Sequence, residues 1–107
     1  MNHQDIYTAV IAFGSNLEEP ARQVRQAAAT VAALPNMVSF RLSYLYRTAP
    51  VGYTEQPDFI NAVALVQTRD SAMALLQRLQ AVEQAFGRER TFRNAPRTLD
   101  LDLIDFH

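Results

Sequence analysis

The chain has 107 residues, 49% of them apolar and 20% charged, the composition of one small folded domain over residues 1–107. It contains no cysteine, which excludes a disulfide framework, thiolate metal ligands and a thiol nucleophile. Ten basic residues against eleven acidic ones give a formal net charge of −1, which argues against a general nucleic-acid binder. No apolar run approaches the roughly 18–20 residues of a membrane span, and Met1 to Asp5 lacks the basic start of a signal peptide. The expectation is a cytoplasmic protein with no nucleic-acid and no membrane partner.

Ile6 to Phe13 is a β-favouring apolar run closed by Gly14-Ser15-Asn16 and reads as a buried strand. Leu17, Ala21, Val24, Ala28, Val31 and Leu34 then recur at helical spacing. Ser15 or Asn16 is the expected cap of that helix, Glu18 and Glu19 suit its positive end, and Pro20 fits its first turn. Val38, Phe40, Leu42, Tyr44 and Tyr46 alternate with more polar neighbours, the pattern of a strand with one buried face. Thr48 to Pro57 holds two prolines and a glycine and reads as a loop of restricted shape. Phe59 to Thr68 is a further strand, with Phe59, Asn61, Val63 and Leu65 on one face. Asp70 or Ser71 starts a second helix with the stripe Met73, Leu76, Leu79, Val82 and Phe86, stopped at Gly87. Arg88 to Pro96 is a polar loop, and Thr98 to Phe106 a last strand. The order β-α-β-β-α-β predicts an α+β, ferredoxin-like fold, an antiparallel four-stranded sheet with two helices on one face.

The chemistry concentrates near the last strand. Asp100 and Asp102 project from one face of it, their Cβ atoms about 6–7 Å apart, and two carboxylates are the hard oxygen ligands that suit magnesium. A solvated strand face is the plainer account of such a pair alone. All ten basic residues are arginine, however, and Arg88, Arg90, Arg93 and Arg97 fall within ten consecutive positions just before the carboxylates. Planar guanidinium groups match phosphate oxygens, and a magnesium nucleotide needs both features together. Gly14-Ser15-Asn16 resembles an anion-binding helix N-terminus, with a simple turn and cap the favoured reading; no Walker A glycine-lysine signature is present. Gln80 and Glu83 point off the apolar stripe of the second helix and could reach a base or ribose, or face solvent. Tyr46, Tyr53, Phe59 and Asn61 flank the proline-containing loop and suit a flat heterocycle with donors and acceptors.

These segments resemble the 6-hydroxymethyl-7,8-dihydropterin pyrophosphokinase family of folate biosynthesis. The likeness runs from about Ala9 to Phe106 and rests on four motifs: F-G-S-N-L at Phe13 to Leu17, Y-R-T-A-P-V-G at Tyr46 to Gly52, Q-P-D-F-I-N-A at Gln56 to Ala62, and A-P-R-T-L-D-L-D-L at Ala95 to Leu103. The resemblance implies an ATP-dependent transferase that moves pyrophosphate from ATP to the pterin hydroxymethyl group, giving AMP and the pterin diphosphate. It implies that Asp100 and Asp102 hold a pair of Mg2+ ions with ATP. It places Thr48, Pro50, Val51, Tyr53, Phe59 and Asn61 at the pterin, with Phe59 as the stacking ring. Gln80, Glu83, Arg88, Arg90 and Arg97 match ATP-contacting positions, and Arg88 and Arg97 join the two aspartates as catalytic groups. Asn94-Ala95 replaces the tryptophan-glycine of many members, a subfamily variation.

Family members continue well beyond the D-L-D strand and draw a histidine, a tyrosine, an arginine and a second stacking aromatic from that continuation. The sequence is therefore expected to be either part of a longer protein or a short form, with its ferredoxin-like core complete. Members are monomers, whereas an uncovered sheet edge in a short form favours self-association. Two other readings stand beside the enzyme: a weakly active or silent homologue that binds a ligand or protein partner, and a ferredoxin-like module pairing through its sheet edge. The second would not need D-L-D beside the arginines.

Overall fold

In the computed structural model, residues 5–16, 18–49, 58–87 and 99–107 are described. Strand β1 (Tyr7–Ser15) leads to helix α1 (Pro20–Ala32). Strands β2 (Met37–Leu42), β3 (Tyr46–Thr48) and β4 (Phe59–Thr68) follow, then helix α2 (Ala72–Gly87) and strand β5 (Leu99–Phe106). The sheet runs β2-β4-β1-β5, with β3 also on β4, and its pairings are antiparallel. Ferredoxin-like order is therefore kept, with one more strand among the described residues than the four expected.

The extra strand arises from a break in the predicted second strand. Leu42 lies opposite Ala64 and Tyr46 opposite Asn61, so four steps along one chain match three along the other. One residue is surplus, as in a β-bulge. Ser43 holds the break: its N–H donates to the Val63 carbonyl at 2.8 Å, and its Oγ accepts the Val63 N–H at 2.9 Å. Alternation reverses across the bulge. Leu45 packs against the core, whereas Tyr44, expected inside, is 82% exposed.

Both helices lie on one face of the sheet. Ala9, Ile11 and Phe13 of β1, Ala62, Ala64 and Val66 of β4, and Leu99 and Leu101 of β5 share one core with Val24, Ala27, Ala28 and Val31 of α1 and Leu75, Leu79 and Val82 of α2. The α2 stripe thus runs through Leu75, not through Met73, which is exposed. Ser71 caps α2, its Oγ accepting the Ala74 N–H at 3.1 Å.

Ser15 and Asn16 do not cap α1. Ser15 ends β1, both residues are buried, and the N-cap is Glu19, left-handed at φ 55° without a side-chain capping bond. Pro20 occupies the first turn, as expected. The far end of the sheet is tied by a polar cluster. Asp70 accepts from Asn36 Nδ2 at 2.7 Å and from Arg78 Nε at 2.8 Å, which joins the α1–β2 turn to α2. Thr8 and His107 exchange backbone hydrogen bonds of 2.9 and 2.8 Å, so the first described strand closes on the last.

Candidate functional site

The register of β1 assembles the site. Gly14 lies opposite Asn61 of β4 on one side and Asp100 of β5 on the other, and Asn61 lies opposite Tyr46 of β3. Directly opposed residues share a face, so Tyr46, Asn61, Gly14 and Asp100 form one row on the face away from the helices. Two residues along β1, Ala12 lies opposite Val63 and Asp102. On the other flank of the first row, Thr48 lies opposite Phe59. Asn61 is therefore separated from Asp100 by a strand residue whose side chain is a hydrogen, and Val63 from Asp102 by one whose side chain is a methyl. With neighbouring strands about 4.8 Å apart, β4 and β5 stand about 9–10 Å from each other across β1.

Local chemistry orients the members of these rows. Asn61 Nδ2 donates to Thr48 Oγ1 at 2.9 Å, which turns its Oδ1 towards Gly14. A Cβ on Gly14 would stand 3.0 Å from that oxygen and 3.9 Å from the Phe59 ring; the bare backbone makes the approach possible. Gly14 is thus a strand residue beneath a close contact, and α1 begins six residues later at Pro20. The reading of Gly14-Ser15-Asn16 as a helix N-terminus does not hold. Sequence pattern alone had missed this role because a glycine at the end of an apolar run looks like turn punctuation.

Asp100 and Asp102 are exposed on β5, while Leu99 and Leu101 between and beside them are buried. No group of three or more metal-ligating side chains occurs among the described residues. Two exposed carboxylates on one face fit magnesium, which takes one or two carboxylates and completes its shell with water and phosphate oxygens; they do not make a closed protein cage.

Glu83 is half-buried on α2, and its Oε2 accepts the Leu101 N–H at 2.7 Å. Gln80 is exposed on the helix layer, and the structure does not bring it to Phe59 and Asn61. Of the other expected site residues, Pro50, Val51, Tyr53, Arg88, Arg90 and Arg97 lie outside the described residues. Arg47 and Asp58 form an exposed pair at 4.0 Å across the base of the β3–β4 connection.

The fold and the open face define an α+β, ferredoxin-like domain with an amide–aromatic pair on one flank and a carboxylate pair on the other. The chain belongs to the 7,8-dihydro-6-hydroxymethylpterin-pyrophosphokinase family, whose model matches residues 10–107. It is similar to 2-amino-4-hydroxy-6-hydroxymethyldihydropteridine pyrophosphokinases of Haemophilus influenzae (42% identity, 91% of this chain and 61% of that protein) and Pseudomonas aeruginosa (42%, 94% and 62%). A Pseudomonas putida protein of the same name is 43% identical over 92% of this chain and 81% of its own length. The chain thus spans about three fifths of the first two relatives. Among solved structures, that of PA3566 from Pseudomonas aeruginosa superposes with a TM-score of 0.51 at 18% identity, covering 96% of both chains; this likeness concerns the fold alone. No described helix is long and apolar enough to cross a membrane.

Proposed function

We propose that this chain carries the core of an ATP-dependent pterin pyrophosphokinase, which transfers pyrophosphate from ATP to 6-hydroxymethyl-7,8-dihydropterin and releases AMP. The observation that carries the reading is the single row Asn61–Gly14–Asp100 within a chain matched by the family over residues 10–107. Asn61 presents an amide fixed by Thr48, the kind of group that pairs with the edge of a heterocycle. Phe59, beside it, offers a ring face for stacking. Gly14 and Ala12 leave the floor between the two flanks low, so a hydroxymethyl arm can extend from the Asn61 side towards the carboxylates.

Asp100 and Asp102 would hold a pair of Mg2+ ions together with ATP. When bound, such ions supply charge neutralisation and Lewis-acid polarisation of the phosphates. The chain's own part is positioning: the Asn61–Thr48 pair and Phe59 orient the pterin, the aspartates anchor the opposite end, and alignment of the two reactants lowers the barrier. Pro50, Val51 and Tyr53 complete the pterin pocket in this reading. Arg88, Arg90 and Arg97 bind phosphate, Arg88 and Arg97 act at the reacting group, and Gln80 contacts ATP. A folate-pathway role of this kind belongs in the cytoplasm.

Calorimetric titration with a non-hydrolysable ATP analogue tests the assignment. Binding is expected to require magnesium and to be lost in the double variant Asp100→Ala, Asp102→Ala. Equal binding with and without magnesium, and in the wild type and the double variant alike, would refute it.

A further inference from the structure

Leu101 is the residue between the two aspartates. Its side chain is buried with the core, and its N–H is taken by a carboxylate from another element, Glu83 of α2, at 2.7 Å. The only strand that β5 pairs with among the described residues is β1, so an amide on its other side has no ladder partner there and would ordinarily turn to water. A short bond to a carboxylate is stronger than one between neutral groups. It fixes the main chain of β5 midway between two carboxylates whose Cα atoms are each one residue, about 3.8 Å, from that of Leu101.

Further along β5, the pairing with β1 shifts register between Val10 and Ile11. There the ladder is irregular and offers less restraint on how the strand is rotated about its axis. Rotation of β5 would move Asp100 and Asp102 together, because both project from the same face. The Leu101 side chain resists it from the core side and the Glu83 bond from the strand edge.

We infer that Glu83 is a positioning residue of the pyrophosphokinase site, holding β5 through the Leu101 N–H so that Asp100 and Asp102 are presented together for metal. The inference rests on the reading of those aspartates as magnesium ligands. It reassigns Glu83 from direct contact with ATP to the support behind the metal-holding pair. Supporting partners of this kind change metal affinity by about 10–100-fold when removed.

Glutamine keeps a side-chain oxygen that can accept the same N–H, whereas alanine does not. The test compares Glu83→Gln with Glu83→Ala on two measurements. One is amide hydrogen exchange at Leu101 in the ligand-free chain. The other is the magnesium concentration that half-saturates binding of a non-hydrolysable ATP analogue. In Glu83→Ala, exchange at Leu101 should speed up at least about tenfold, amides far from β5 should keep their protection, and the magnesium requirement should rise about tenfold. Glu83→Gln should stay near the wild type on both. Unchanged Leu101 exchange in Glu83→Ala would overturn the inference. So would a Glu83→Gln variant that keeps Leu101 protected yet loses magnesium affinity as fully as Glu83→Ala, since that marks a direct role for the charge. If the wild type shows no magnesium-dependent binding at all, the functional reading itself fails, and the exchange comparison still decides whether Glu83 holds the strand.

Discussion

The two faces of the sheet are built from the same strands and do opposite things. On the covered face β1 contributes Ala9, Ile11 and Phe13, and β5 contributes Leu99 and Leu101, all buried against the helices. On the open face the intervening residues are Ala12 and Gly14 from β1 and Asp100 and Asp102 from β5. Because strand side chains alternate with period two, a slip of one residue would carry both carboxylates into the core and both leucines out of it. The core therefore does more than stabilise. It is what fixes the register that puts Asn61, Gly14 and Asp100 in one row.

Paired substitutions on the two faces should separate these roles. Phe13→Ala, on the covered face, is expected to lower unfolding free energy by about 3–5 kcal/mol, read by denaturant titration. Asn61→Ala, on the open face, should change stability by about 1 kcal/mol at most, the worth of its Thr48 bond, while weakening 6-hydroxymethylpterin binding by about 1–3 kcal/mol in a fluorescence titration. Equal stability losses from the two would mean the open face is structural as well.

Gly14→Ala sharpens the contrast because it touches only the open face. The added methyl meets Asn61 Oδ1 at 3.0 Å, so the amide must move by a few tenths of an ångström. Stability should stay within about 1 kcal/mol, since reduced freedom of the unfolded chain offsets the crowding. Pterin affinity should nevertheless fall, and wild-type affinity would show that the placement of Oδ1 is immaterial. The smallest effect is expected away from both faces. Ser71→Ala removes the α2 cap and should lower stability by about 1 kcal/mol in the same denaturant titration, with magnesium-dependent ATP-analogue binding unchanged.

Where one physical signal dominated, sequence was sufficient. Leu99, Leu101, Asp100 and Asp102 alternate so sharply that both the strand and its two faces followed directly, and so did the faces of β4 carrying Phe59 and Asn61. The β-α-β-β-α-β order was legible for the same reason. The bulge at Ser43 was not, because strict alternation from Val38 to Tyr46 looks unbroken until the register against β4 is known. Leu75 was passed over because Met73 and Leu76 also lie at helical spacing, and only packing decides between overlapping stripes. The Ser15 and Asn16 capping assignment failed because β1 runs two residues further than its apolar stretch. Glu83 carries no local sign of its partner: the bond to Leu101 spans 18 residues and exists only once α2 has docked on β5.

The closure between Thr8 and His107 has a consequence for how the molecule is made. β1 lies between β4 and β5 in the sheet, yet its β5 neighbour is synthesised only after β4 and α2. Until then, the strand that will sit inside the sheet has one bare side, and the nascent chain must hold an unpaired row of backbone groups through the synthesis of some ninety residues. Contacts this distant along the chain slow folding because so much polypeptide must be gathered before they form. Asp100 and Asp102 ride on that late strand, so the carboxylate flank of the site is completed by the same event that pairs β5 with β1. A nascent chain stalled before β5 would display the amide–aromatic flank without its charged counterpart.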